Sequence, residues 1–238
     1  MIAKAQEIAD ATEGGFDITI RPLAELWGFL WKEYRLPTEE ELKAVLPRVN
    51  YRLVQLSPEK RTVHFLAAGV SLDLGGIAKG YAVDCAVEKL RSLGVANALV
   101  KAGGDLRVIG APPGRTNWIV QLEDPAKGGR RVRVLLRDAA LSTSGNYENF
   151  FETNGVRYGH LLNPRTGWPV QGIAACTVIA PTCVESDALA TGCFVMGVEE
   201  SLAKFGVRYP IRFTLVPTNC SAKVWPVRQT KSFGGQAD

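Results

Sequence analysis

No run of about eighteen apolar residues occurs in the chain, which excludes a transmembrane helix. The opening stretch, MIAKAQEIADATEGG, lacks the apolar core that a signal peptide needs. Histidine is scarce, with two in the chain, and the five cysteines, at 85, 176, 183, 193 and 220, are odd in number and form no Cys-x-x-Cys pair. That pattern supports neither a disulfide framework nor a zinc site, and it reads as buried, reduced thiols. Several catalytic signatures are missing as well. There is no Gly-x-Ser-x-Gly elbow, no His-Glu-x-x-His and no Gly-x-Gly-x-x-Gly, and Lys79 is followed by Gly80 and Tyr81 where a Walker loop needs Ser or Thr. Hydrolase triads, zincins, thiol catalysis and the common nucleotide loops therefore lack support. Strong charge is also absent. A formal +4 is spread over 238 residues, and its densest cluster, Gly129 to Arg133, reads as a solvated strand edge rather than a nucleic-acid patch.

What is present is enough apolar material for a core: 46% hydrophobic and 22% charged residues place the chain among ordinary globular domains. The expected organisation is one domain over residues 1–217 and an irregular tail over 218–238, rich in Ser, Lys, Gln and Gly. Ile2, Ala5, Ile8 and Ala9 share a helical face, with Gly14-Gly15 to end the helix, so the chain opens as a domain already under way. Thr38-x-x-Glu41 predicts a capping box and a short helix to about Val49. Tyr51 to Leu56 and Arg61 to Leu66 alternate like hairpin strands. Strand composition recurs at Ala98 to Lys101, Asp105 to Ile109, Trp118 to Leu122, Val132 to Leu136, Arg157 to Leu161, Ile173 to Ile179 and Arg208 to Val216. Thr182-x-x-Glu185 predicts a second capping box, opening a helix to about Met196, with a short helix at Glu199 to Phe205. Few helices and many consecutive strands predict an α+β fold, a mostly antiparallel mixed sheet with flanking helices.

Four places are candidates for chemistry. In SLDLGGIAKGY, Ser71 to Tyr81, an apolar strand ending in Asp73 is expected to run through Gly75 and Gly76 into a helix. Two glycines allow close backbone approach, the helix start favours an anion, and Lys79 adds charge in the first turn. The same segment would also serve as a strand, turn and helix that pack through their glycines and bind nothing. Asp187 and Thr191, four apart in ESDALATG, project a carboxylate and a hydroxyl from one helix face, the oxygen donors a hard cation such as Mg²⁺ prefers. The alternative is that Asp187 stabilises its own first turn and Thr191 bonds back to its helix. His160 precedes a Pro-Arg-Thr-Gly turn, where an imidazole can take a proton from a hydroxyl nucleophile or serve structure alone. Gly103-Gly104-Asp105 is either a further place of close backbone approach or a tight turn. A helix start suited to phosphate, an oxygen pair and one candidate base together suit phosphoryl-type transfer.

Read in order, GGFD (Gly14 to Asp17), LDLGGIAKGYAVD (Leu72 to Asp84), AGGDLRV (Ala102 to Val108), SGNY (Ser144 to Tyr147), GHLLNPRTG (Gly159 to Gly167) and SDALATG (Ser186 to Gly192) resemble the ApbE family of FAD:protein FMN transferases. The resemblance implies a T-fold-like, ApbE-like domain and a flavoprotein transferase that splits FAD. FMN moves as a phosphoester onto a Thr or Ser of a partner protein, a membrane-associated redox subunit, with release of AMP. Some family members hydrolyse FAD instead, as an FAD pyrophosphatase, and a non-catalytic flavin binder is the third expectation. Carried over residue by residue, Asp187, Thr191 and the backbone carbonyl of Gly76 would hold Mg²⁺, and His160 would be the general base. Gly15, Phe16, Asp17, Asp73, Lys79 and the Leu161 backbone would contact FAD. The family's usual opening stretch ahead of GGFD is not found in this sequence. The resemblance places such proteins in the bacterial cell envelope, at the periplasmic face of the inner membrane.

Overall fold

A computed structural model describes residues 1–123, 125, 132–147, 149–217, 224–233 and 235–237. Helix α1 (Ile2–Ala11) buries Ala5, Ile8 and Ala9, as its periodicity predicts, and Gly14, at φ +82°, turns the chain after it. Helix α2 (Arg21–Leu26), missed in the sequence, begins with Pro22 in its first turn and buries Leu23 and Ala24. Helix α3 (Glu39–Val45) carries the predicted capping box: Thr38 accepts from the Glu41 N–H while Glu41 accepts from the Thr38 N–H. Strands β1 (Val54–Ser57) and β2 (Thr62–Phe65) form the expected antiparallel hairpin.

The chain then supplies helix α4 (Ala78–Ser92) and strands β3 (Ala98–Ala102), β4 (Asp105–Ile109), β5 (Trp118–Leu122), β6 (Val132–Leu136) and β7 (Ala139–Gly145). Strands β8 (Phe150–Thr153), β9 (Val156–Gly159) and β10 (Ile173–Ala180) follow. Helices α5 (Cys183–Met196) and α6 (Val198–Phe205) precede strands β11 (Ile211–Leu215), β12 (Val227–Gln229) and β13 (Gly235–Ala237). The principal sheet has the order β12-β11-β10-β7-β4-β3, and β13-β6-β5 and β8-β9 form smaller sheets. Every strand pair registered among the described residues is antiparallel, so the fold is α+β and the sheets are less mixed than expected.

Helix α5 is the axis of the molecule. It packs on β7 and β10 and is flanked by α1, α4 and α6, so it buries residues on every side, from Cys183 through Ala188, Leu189 and Ala190 to Phe194. A helix packed on every side belongs in a core, and its few polar side chains must find partners there. Each fully buried Leu or Phe contributes about 1.5–3 kcal/mol relative to exposure. A second core joins β4 and β7 to β5 and β6 through Leu106, Val108, Leu141, Val120, Val134 and Leu136. A third gathers around Trp27, fully buried, whose indole N–H donates to the Gly167 carbonyl at 2.8 Å.

Four expectations are corrected. No strand leads to Asp73: the residues from Ser71 to Leu74 are irregular, pinned by the Asp73 N–H donating to Ile18 O at 2.8 Å, and α4 starts at Ala78 rather than near Gly75. The second capping box does not form. Asp84 of α4 accepts from the N–H groups of Cys183 and Val184 at 2.9 and 2.8 Å, capping α5 from a neighbouring helix, and Glu185 instead accepts from Tyr209. The tail expected to be irregular contains two short strands, β12 paired with β11 and β13 with β6, because each of those partners leaves an open edge. Cys85 is exposed on α4, whereas Cys176, Cys183 and Cys193 are buried free thiols; Cys220 and residues 129–131 of the basic cluster lie outside the described residues.

Candidate active site

Helices α4 and α5 cross at Gly80. A Cβ there would lie 2.3 Å from the Cys183 carbonyl oxygen and 2.8 Å from Asp187 Cβ, so only glycine permits this approach. Closeness lets the Gly80 N–H donate to Asp187 Oδ2 at 2.9 Å. Asp187 is 3% exposed, and its other oxygen, Oδ1, lies 3.8 Å from Lys79 Nζ. Lys79 makes its close ion pair elsewhere, 2.7 Å from Oδ2 of Asp105, which is also buried. Burial pushes the Asp187 carboxyl up to about 6, and the charge of Asp105 acts in the same direction against Lys79 and the Gly80 N–H. For Lys79, burial pulls the pKa down, but Asp187 and Asp105 outweigh it and leave the ammonium held above its ordinary range.

One turn along α5, the Thr191 hydroxyl reaches across to the sheet and pairs with Ser144 Oγ at 2.9 Å. Gly76 packs against it, since a Cβ on Gly76 would stand 3.3 Å from Thr191 Oγ1 and 3.1 Å from Phe16 Cε2. Gly76, Asp187 and Thr191 thus border the same space, and the Asp187 and Thr191 side chains bond to groups outside their own helix. Among the described residues no three His, Cys, Asp or Glu side chains gather to hold a metal. The donor set here is a carboxylate, a hydroxyl and a nearby peptide backbone, and two buried carboxylates against one lysine leave the corner net negative. Such a set fits a hard divalent cation that takes its remaining ligands from water or phosphate oxygens.

These residues line one wall of a cavity of about 590 Å³, the size of a small-molecule site. Gly15, Phe16, Asp17, Asp73, His160 and Leu161 border the same space. Gly15 presses the end of α1 against α5, where a Cβ would meet Gly192 O at 3.1 Å. Asp17 anchors its loop: Oδ1 accepts from the Thr19 N–H and hydroxyl at 2.7 and 2.6 Å, and Oδ2 from the Tyr51 N–H at 2.8 Å. Burial nevertheless leaves its carboxyl raised against those bonds. Asp73 Oδ1 accepts from the Gly75 N–H at 2.7 Å, shaping the turn into α4. The Leu161 backbone is already engaged, its N–H with Asn146 Oδ1 at 3.2 Å and its carbonyl with the Val170 N–H.

His160 follows β9 and is half-buried. Its Nδ1 lies 3.2 Å from the Asn149 carbonyl, a group that can only accept, so Nδ1 carries the hydrogen in this contact. Two of the buried thiols are poor nucleophiles, because burial pushes Cys183 up to about 12 and raises Cys176 well above its ordinary value.

Residues 1–209 match the family described as "ApbE family". The chain belongs to the ApbE family. This ApbE chain is 37% identical over 209 residues to the FAD:protein FMN transferase of Vibrio cholerae, across 85% of this chain and 62% of that protein. It is 35% identical over 210 residues to the FAD:protein FMN transferase of Haemophilus influenzae, across 85% and 61%. The chain therefore spans about three fifths of the length of these curated relatives. The crystal structure of the ApbE protein from Thermotoga maritima superposes with a TM-score of 0.87 at 33% identity, covering 98% of this chain and 75% of that one. The apo flavinyl transferase ApbE of Pseudomonas stutzeri gives 0.85 at 31%, covering 98% and 72%.

Within this ApbE chain three polar residues of the site have side-chain roles that the sequence did not give. Asp105 holds Lys79, Ser144 holds Thr191, and Asn146 ties Leu161 to Val170, donating to the Val170 carbonyl at 3.2 Å. All three lie inside quoted motifs, AGGD and SGNY. The available signal was a polar residue beside glycine, a pattern that also marks a plain turn.

Proposed function

We propose that this chain is a Mg²⁺-dependent FAD:protein FMN transferase, moving FMN from FAD onto a Thr or Ser hydroxyl of a partner protein. The observation that carries the reading is the meeting of Asp187, Thr191, Gly76, Lys79 and His160 on the walls of one cavity. Asp187, Thr191 and the Gly76 backbone would hold the Mg²⁺, which when bound neutralises pyrophosphate charge and stabilises the charge that develops at phosphorus. Lys79 and the N-terminal end of α4 add positive charge to the same place. Gly15, Phe16, Asp17 and Asp73 form the flavin side of the cavity, with Leu161 and Asn146 fixing the loop that carries His160.

The acceptor oxygen attacks the phosphorus of the FMN half, a new P–O ester bond forms, and the bond from that phosphorus to the bridging oxygen breaks. AMP leaves with the bridging oxygen, and the hydroxyl proton passes to the His160 imidazole. The proposed acceptor is a membrane-associated redox protein of the cell envelope, a class taken from the family resemblance.

The test is AMP release from FAD with Mg²⁺ and a Thr-containing acceptor peptide, with the peptide mass followed in parallel. Labelled peptide with AMP supports the transferase, AMP with free FMN indicates a pyrophosphatase, and FAD binding without AMP marks a flavin binder. His160→Ala should slow transfer by about 10²–10⁴-fold with FAD affinity retained; an unchanged rate shows that another group is the base.

A further inference from the structure

Lys79 stands beside the oxygen that a cation would need. Its Nζ is 3.8 Å from Asp187 Oδ1, 2.7 Å from Asp105 Oδ2 and 3.5 Å from the Gly75 carbonyl. An ammonium on a four-carbon stem, with nearly half of its side chain exposed, can reach either carboxylate by rotamer change. Asp105 cannot follow it. It is buried at the first position of β4, its backbone registered opposite Ala102. The preceding turn lies alongside the lysine stem: at Gly103, φ +59°, a Cβ would sit in ordinary contact, 3.8 Å from both Cδ and Cε of Lys79.

We infer that Asp105 is a positioning residue for the cation site: it holds the Lys79 ammonium off Asp187 Oδ1 and so leaves that oxygen for the divalent ion. The inference rests on Asp187 being the cation's carboxylate. Without Asp105 the ammonium closes onto Asp187, and a cation must displace it before binding. With Asp105 present, Lys79 keeps its partner while the cation is bound and remains within reach of a phosphate.

A double-mutant cycle on Mg²⁺ affinity, read by titration calorimetry without FAD, tests this. Asp105→Asn should weaken Mg²⁺ binding by about tenfold or more, the range for residues that orient metal ligands. In a Lys79→Met background the same substitution should cost at least about threefold less, because the competitor is gone. Equal losses in both backgrounds would mean that Asp105 acts only through its charge, and no loss in the otherwise wild-type chain would mean that it does not act; either overturns the inference. Wild-type protein that takes up no Mg²⁺, or takes it up as well as Asp187→Ala does, would remove the Asp187 assignment itself and the inference with it. A crystal structure of wild-type protein with Mg²⁺ supplies a second reading independent of how Asp105→Asn folds. Lys79 Nζ should stay on Asp105 and move away from Asp187, and its departure from Asp105 would overturn the proposal.

Discussion

Gly80→Ala sets two physical effects of opposite sign against each other. Gly80 is the third residue of α4, and glycine in a helix costs about 1 kcal/mol relative to alanine, so propensity alone predicts a more stable protein. The added methyl, however, would lie 2.3 Å from Cys183 O, 2.7 Å from Cys183 C and 2.8 Å from Asp187 Cβ. Two of these are backbone atoms of a buried helix and cannot swing aside. Relief requires α4 to move away from α5, an overpacking cost of about 1–3 kcal/mol. That shift also weakens the Gly80 N–H bond to a carboxylate, worth about 1.5–3 kcal/mol. Subtracting the propensity gain leaves a net loss of about 1.5–5 kcal/mol. For a chain of this size that corresponds to a Tm lower by about 3–20 °C in a calorimetric melt. The same displacement moves Asp187, so Mg²⁺ affinity should fall with it. A Tm equal to or above that of the wild type would refute the argument from the crossing.

The cation-free protein should lose stability as pH rises from about 4 to about 6. Asp187 sits at about 6 when folded against an ordinary 3.8, so the folded state binds more protons than the unfolded state in that window. The loss is about 2–3 kcal/mol at neutral pH. Melts in a chelator should show it for wild type and a flatter profile for Asp187→Asn, and parallel profiles would rule out the buried charge as the cause. Asp84→Ala removes the cap of α5 and one partner of the buried Arg107, paired with Asp84 at 2.9 Å. A destabilisation of about 2–4 kcal/mol in urea unfolding is expected, whereas a value within about 0.5 kcal/mol, typical of an ordinary surface change, would show that neither role matters.

The legible parts of the site were those whose residue types announce themselves. Asp187 and Thr191 at i and i+4 must share a helix face wherever the helix lies, and paired glycines before a lysine mark close backbone approach. Strand β7 was missed although it is the middle of the principal sheet. Its sequence, AALSTSG, has small and hydroxyl residues in place of the large β-branched alternation that marks a strand, because both of its faces are covered and its hydroxyls pair with α5 and β10.

Local sequence determined the helix faces, the capping box at Thr38, most of the strands and the order of the motifs, since each depends on spacing within a few residues. Tertiary structure alone decided which carboxylate holds which cation. Lys79, Asp105 and Asp187 lie far apart in the chain, and only the crossing of α4 over α5 beside the first residue of β4 brings them within 4 Å. The same holds for the cap of α5. Thr182 has the composition of a cap and Asp84 supplies it, because two N–H groups at a buried helix start are satisfied by whichever acceptor packing places there, not by the nearest in sequence.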